Sequence, residues 1–500
     1  MATIDIRNAM VIISAAFDTS LTPPVGLMIC KLKKPLLALL MSLSVLLSIP
    51  GSTLPLTISE EEKLSREFMR VVQAQFPLIR DPMIVGYINR LGFEILRHVP
   101  PQPFQYHFYV LDEHVYNAFA TPAGQIFFHR GLIEAMKSED ELAGILAHEI
   151  SHVVARHISE KIDRSKKINM MALAGMVAGA FLGAAAGSSE AASALSYGTM
   201  AAAQSMELAY SRQDEIQADQ LGLIYLAKSG YSANGLMTSL QTIRSKQWFG
   251  SIPSYLSTHP AAEDRIAYID AWIEKNQENR DDIKLKTDSM EFHYVRTRLS
   301  ALYGDEAIVR RQFEDQVKAA PDDPLANYGM GLFYSRIGQK DKALTYLRKT
   351  LASRPLDAFI LTDLGKIYFQ LGRYNEALRV LEGAENIPPY NPEQAYYLGQ
   401  TLAQVGQLTR ARETLEDLVI RAPGYFQAYY ALGELNENQG NTPMAHYYLG
   451  LYYWQKGDMR NAEFHLSRSL QAMKDPEKRQ EIKQVLEGLQ KPSKKKKKAG

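Results

Sequence analysis

The sequence predicts a mainly α protein in two parts, an α+β domain with a small β-sheet followed by an α-solenoid. Three observations carry this. A glycine and alanine pattern recurs every 34 residues through the second half. The first half reads as helices interrupted once, by the aromatic and β-branched stretch "FQYHFYVLDEHVYNAFATPAGQIFFHRGLI". Just after it, "SEDELAGILAHEISHVVARH" (Ser138–His157) carries a single His-Glu-x-x-His. A chain of this composition contains that pattern by chance in about one or two cases per hundred, so its context decides its meaning.

The chain opens on residues 1–52, read as a leader and signal. Lys31, Lys33 and Lys34 precede the apolar run Pro35–Ile49, and small residues follow, the layout of a secretory signal with Met28 as its expected start. Its apolar core is short for a membrane span. Cys30, the only cysteine, lies within it, so export requires no disulfide framework. Charge is balanced, with 56 Lys and Arg against 55 Asp and Glu, and no global field points to nucleic acid. The basic run at 491–500 reads as a solvated tail.

The first domain is expected over 53–290. Its aromatic stretch reads as two or three strands, with Pro122 and Gly124 at a turn. Ser138 is placed to N-cap the motif helix, and Glu141 three residues on predicts a capping box. The second domain is expected over 291–490. Gly331, Gly365, Gly399 and Gly433 are each followed at seven residues by a second glycine (Gly338, Gly372, Gly406, Gly440) and at twelve by an alanine (Ala343, Ala377, Ala411, Ala445). Gly450, Gly457 and Ala462 repeat these offsets after only 17 residues, so the "MAHYYLGLYYW" helix is expected to close one repeat and open the next.

On a helix, His148 and His152 are four apart and project from one face, where they can share a metal ion, with Glu149 beside them as a general base. His157, nine residues from His148, is half a turn out of phase and is not expected to be a ligand. The third ligand is open among Glu190, Glu207 and Glu215, because Ala155 and Ile158 stand where a histidine continuation would need Gly and His. Glu215 is favoured because Asp219, four residues on, shares its face and can orient a ligating histidine.

"HEISH", "SRQDEIQAD" and "STHPAAEDRI" together resemble the zinc metallopeptidases that include the CAAX prenyl proteases and their secreted bacterial relatives. The 34-residue pattern resembles tetratricopeptide repeats. The resemblance implies a gluzincin-type domain with one zinc per chain on His148, His152 and Glu215. It implies Glu149 as catalytic base, supported by Asp219. His259 is implied to lie near the metal, regulating access or stabilising the oxyanion, and Asn117 and Ala118 to contact a substrate lying extended along their strand. It further implies a periplasmic endopeptidase acting on misassembled outer-membrane proteins, its repeats recruiting substrates or assembly components. The rival expectation is a chaperone or scaffold whose peptidase site is held inactive. Ile168–Gly187, twenty residues without a charge, reads either as a span or as a lid over the cleft; its Ala and Gly content and Asn169 favour the lid, with contact at a membrane surface open.

Overall fold

A computed structural model describes residues 56–164, 210–246, 253–276 and 289–490. The leader, the Ala/Gly segment Ile168–Gly187, Glu190, Glu207 and the basic tail lie outside these residues.

Side-chain caps set where the first helices begin. Thr57 and Glu60 form a capping box at α1 (Ile58–Gln75), and Asp81 caps α2 (Pro82–Leu96), whose first residue is a proline with no amide to lose. Between and after them lie β1 (Leu78–Ile79), β2 (His107–Leu111), β3 (Ala118–Thr121) and β4 (Gln125–His129). They form one four-stranded sheet in the order β1-β2-β4-β3. β2 and β4 run parallel, His107 opposite Gln125, while β3 runs antiparallel to β4, Ala118 opposite Phe128. The aromatic stretch therefore supplies three strands. β1, pairing Leu78 with Leu111, is a fourth that two residues of pattern could not announce. Pro122–Gly124 makes the turn between β3 and β4, where Gly124 at φ 79° brings the chain so close to Gln105 that a Cβ would sit 2.7 Å from its carbonyl oxygen.

Alternation along the strands sorts residues to two buried faces. Ala118, Ala120, Ile126 and Phe128 join the main core with Leu142, Ile145 and Leu146. Phe119 and Phe127 face the other way, against Leu64, Phe68 and Val72 of α1. All five residues of β4 are buried, which is why it reads as a continuous rather than an alternating run.

Two short connections lead into the site. The six-residue α3 (Arg130–Ala135) precedes α4 (Glu139–Val154), the motif helix. Ser138 caps α4 as expected, accepting from the Glu141 amide. The return half of the capping box is not made, because the Glu141 carboxylate takes the Lys137 amide at 2.8 Å and the Thr242 hydroxyl instead. α5 (His157–Arg164) follows. α6 (Arg212–Ser229) starts on a Ser211–Asp214 capping box and ends at left-handed Gly230. α6 and α7 (Asn234–Arg244) pack on α4, and α8 (Ser254–Thr258) and α9 (Ala262–Asn276) complete this part.

The rest is a stack of helices: α10 (Met290–Tyr303), α11 (Glu306–Ala319), α12 (Pro324–Arg336), α13 (Lys340–Ser353), α14 (Ala358–Gln370), α15 (Tyr374–Ala384), α16 (Pro392–Gln404), α17 (Leu408–Arg421), α18 (Gln427–Asn438), α19 (Thr442–Gln455), α20 (Met459–Ala472) and α21 (Pro476–Gln490). Each repeated glycine has a mechanical reason. A Cβ on Gly331, Gly365, Gly399 or Gly450 would collide with a leucine of the next helix (Leu347, Leu381, Leu415 and Leu466). The second glycines close helices at positive φ, from 72° at Gly372 to 83° at Gly406. α19 packs on both α18 and α20 and carries both the repeat alanine Ala445 and the repeat glycine Gly450, so one helix serves two repeats. Among the described residues no helix is long and apolar enough to cross a membrane.

Candidate metal centre

α4 carries His148, Glu149 and His152, α6 carries Glu215 and Asp219, and His259 ends α8. All six side chains are buried. The Nε2 atoms of His148 and His152 are 2.9 Å apart. Glu215 lies 3.4 Å from His148 Nε2 through Oε2 and 3.5 Å from His152 Nε2 through Oε1. Donors around one tetrahedral zinc stand about 3.3 Å apart, and these separations fit it. One donor atom each from His148, His152, Glu215 and His259 lie within 4.8 Å of one another. His259 is thus a fourth potential donor, its Nδ1 3.1 Å from Glu215 Oε1 and 3.3 Å from His148 Nε2.

Buried partners fix both imidazoles of α4. His148 Nδ1 donates to Asp219 Oδ1 at 2.7 Å, so in the neutral ring it is the Nε2 lone pair that is turned to the other donors. His157 Nε2 donates to the side-chain Oε1 of Gln217 at 3.0 Å, so its Nδ1 is left to accept from His152 Nδ1, 2.9 Å away. The Nε2 lone pair of His152 is again the one turned inward. Tyr210 stacks on His152 with ring centres 3.6 Å apart, and Tyr255 stacks on His259 at 4.3 Å.

Charge favours a cation at the site. Glu149, Glu215 and Asp219 face one buried cation, Arg265 of α9, which is 2.6 Å from Glu215 Oε2 and 2.7 Å from both Asp219 oxygens. With the histidines neutral, as metal ligation requires, and all three carboxyls ionised, the cluster carries two negative charges in excess, which a divalent ion would balance and which otherwise favour a proton on His148. Burial works against the charge on Glu215 and Asp219, yet Arg265 and the histidines outweigh it and hold both carboxyls below their ordinary range. Burial, then Arg265, favour deprotonation of His148, but Asp219 and Glu215 prevail and raise it to about 9. Burial and then His148 keep His152 well below its usual value. Burial raises Glu149, and among the described residues neither of its oxygens has a hydrogen-bond partner; His259 Nε2 is 3.5 Å from Oε1.

Asn117 and Ala118 stand at the start of β3, both buried, and α4 packs on that strand. Two contributors were not visible in the sequence as such. Arg265 had only the surplus of carboxylates to announce it. His157 stands where helical phase alone would turn it away.

The family model for Peptidase family M48 matches residues 87–273, and tetratricopeptide repeat models match 328–392 and 368–435. The chain carries a family M48 peptidase domain with tetratricopeptide repeats after it. It is similar to the beta-barrel assembly-enhancing protease of Escherichia coli (strain K12), 28% identical over 315 residues, 62% of this chain and 63% of that one. It is likewise 28% identical over 325 residues to the protein of that name from Yersinia pestis, covering 63% and 65%. The mitochondrial metalloendopeptidase OMA1 of Schizosaccharomyces pombe is 29% identical over 196 residues, 39% of this chain and 55% of that one. The match therefore spans less than two thirds of the length of these relatives. The fold is the mainly helical one expected, a small sheet and repeat helices included.

Proposed function

We propose that this chain is a zinc metalloendopeptidase. The observation that carries the reading is the convergence of His148, His152 and Glu215 donor atoms beside a buried Glu149 carboxylate that has no hydrogen-bond partner among the described residues. These three residues would hold zinc, which when bound supplies Lewis acidity toward the scissile carbonyl and the attacking water. Glu149 takes the water's proton and hands it to the leaving amine, a task suited by the upward push that burial gives its carboxyl. Asp219 acts through His148, holding its tautomer, and His157 does the same for His152. The substrate lies extended along β3, the edge of the sheet, with Asn117 and Ala118 in contact with its backbone.

A second reading has its own support. His259 stands among the donors and 3.5 Å from Glu149, where it would hold the resting site closed and leave the repeats to act as a scaffold or chaperone. The relatives' name supports a protease concerned with β-barrel assembly; the reading adds that the enzyme is exported by its signal to the periplasm, acts on misassembled outer-membrane proteins and meets assembly components through the repeats. In this reading residues 53–290 are catalytic, 291–490 recruit, and 1–52 and 491–500 are leader and tail.

Metal content and hydrolysis of a denatured outer-membrane protein test it together. The parent should hold about one zinc per chain, lost in His148→Ala and Glu215→Ala. Glu149→Gln should keep the zinc and lose about 10²- to 10⁴-fold in rate. Undiminished cleavage by Glu149→Gln, or a folded parent that takes up no zinc, would sink the reading. Faster cleavage by His259→Ala would assign the gate.

A further inference from the structure

Folded proteins leave few buried polar atoms without a hydrogen bond, because each such atom costs stability. The hydroxyl of Tyr255 is one. Its side chain, on α8, is fully buried, and among the described residues its oxygen has no hydrogen-bond partner. Both oxygens of Glu149 and the Nε2 of His259 share that condition. These atoms belong to one place, since His259 Nε2 is 3.5 Å from Glu149 Oε1 and Tyr255 packs on the His259 ring.

The backbone and the stack together hold Tyr255 there. Its ring lies nearly parallel to the His259 imidazole, with centres 4.3 Å apart and planes 19° from each other, and 6.4 Å from the ring of His148. Its amide donates to the Tyr116 carbonyl at 3.0 Å, which ties the start of α8 to the chain leading into β3. Burial raises the Tyr255 hydroxyl well above the ordinary tyrosine range, and of the surrounding charges the Glu149 carboxylate adds most to that rise. A phenol so placed keeps its proton at neutral pH and can offer it as a hydrogen bond.

We propose that Tyr255 is a further catalytic residue, its hydroxyl donating a hydrogen bond to the scissile carbonyl oxygen as negative charge gathers there. It rests on the peptidase reading and adds to it a protein group that meets this charge. The water oxygen bonds to the carbonyl carbon, one water proton passes to Glu149, and the carbonyl π electrons move onto oxygen. Tyr255 donates to that oxygen and keeps its own proton. When the electrons return, the carbon–nitrogen bond breaks, the amine leaves with the proton from Glu149, and the second water proton stays on the new carboxyl. The oxygen carries more charge in the transition state than in the bound peptide, so the bond speeds the reaction more than it tightens binding. A donor with no other partner gives up nothing when that charge appears.

The test is Tyr255→Phe in the full chain loaded with zinc. Its probes are a peptide spanning one bond that the parent cuts in a denatured outer-membrane protein, and the phosphinic analogue of that peptide, whose tetrahedral anionic centre imitates the charged oxygen. Phenylalanine keeps the ring on His259 and removes an atom that bonds to nothing, so zinc content should match the parent and the melting temperature should be equal or higher. kcat should fall about 10²-fold with KM unchanged, and the analogue should bind more weakly by about the same factor. In a Glu149→Gln background, adding Tyr255→Phe should leave affinity for the uncut peptide unchanged. Unchanged kcat with unchanged analogue affinity overturns the proposal. A lower melting temperature, or equal weakening of peptide and analogue, also overturns it, since either marks a packing role. A parent that cuts no bond removes the peptidase reading and this proposal with it, whereas loss of cleavage in Glu149→Gln with full activity in Tyr255→Phe removes Tyr255 alone.

Discussion

His157 shows how a single residue escapes a correct rule. Nine residues of unbroken helix would turn it away from His148, but α4 stops at Val154 and Arg156 takes a left-handed φ of 55°. Glu61 and the Leu56 carbonyl grip the Arg156 guanidinium, so a contact with α1 fixes the bend. The next helix then starts at His157 with its imidazole against His152. A residue that orients a ligand without touching the metal acts on affinity more than on fold. His157→Phe and Asp219→Asn should each weaken zinc binding about 10- to 100-fold while far-ultraviolet circular dichroism stays that of the parent. Zinc titration against a competing chelator measures it, and unchanged affinity in either variant would remove that residue from the site.

Among the elements, α4 is pinned from several sides, and its glycines separate tight from loose contacts. A Cβ on Gly144 would stand 2.6 Å from the Leu236 amide nitrogen, and backbone of α7 cannot yield as a side chain can. A Cβ on Gly222 of α6 would meet His148 at an ordinary 3.4 Å. Gly144→Ala should therefore cost about 1–3 kcal/mol, whereas Gly222→Ala should be neutral or gain up to about 1 kcal/mol from helix propensity. Urea midpoints of the two variants decide whether α4 is placed by that close approach. The first turn of α4 adds a pH effect. Glu139 is buried and accepts from Tyr87 at 2.8 Å, and burial outweighs that bond to raise its carboxyl above the ordinary 4.5. The folded protein holds this proton to higher pH than the unfolded chain, so its stabilising contribution is full below the ordinary value and lost as pH rises through the folded one. Glu139→Gln should raise the melting temperature near neutral pH and change it little in acid. What was legible here was whatever one helix or one period contains: the His148–His152 pair, Glu215 with Asp219, and the repeats spaced 34 apart. The two-residue β1 has no period to read, Glu141 turns to Lys137 and Thr242 by virtue of α7, and Arg265 arrives from α9, so only packing could place them.

For the whole molecule, the question is what makes the repeat helices move with the catalytic part. Arg298 of α10 is buried where the two meet. Its Nε donates to Asp81 at 2.7 Å, the same carboxylate that caps α2, and Nη1 donates to Asp363 of α14 at 2.6 Å and to the Tyr328 hydroxyl at 2.8 Å. One guanidinium thus ties a peptidase helix to two repeat helices. Burial pushes the Asp363 carboxyl up even with Arg298 beside it, a sign that the acid would not stay ionised there alone. Removing the cation strands buried acids, so Arg298→Met should cost about 3–5 kcal/mol. The loss should fall at the junction, splitting a single urea transition into two and opening the connection near residue 290 to proteolysis. Adding Asp363→Leu removes one stranded charge and should restore a large part of the stability, because an apolar pair can replace a buried ion pair at little cost.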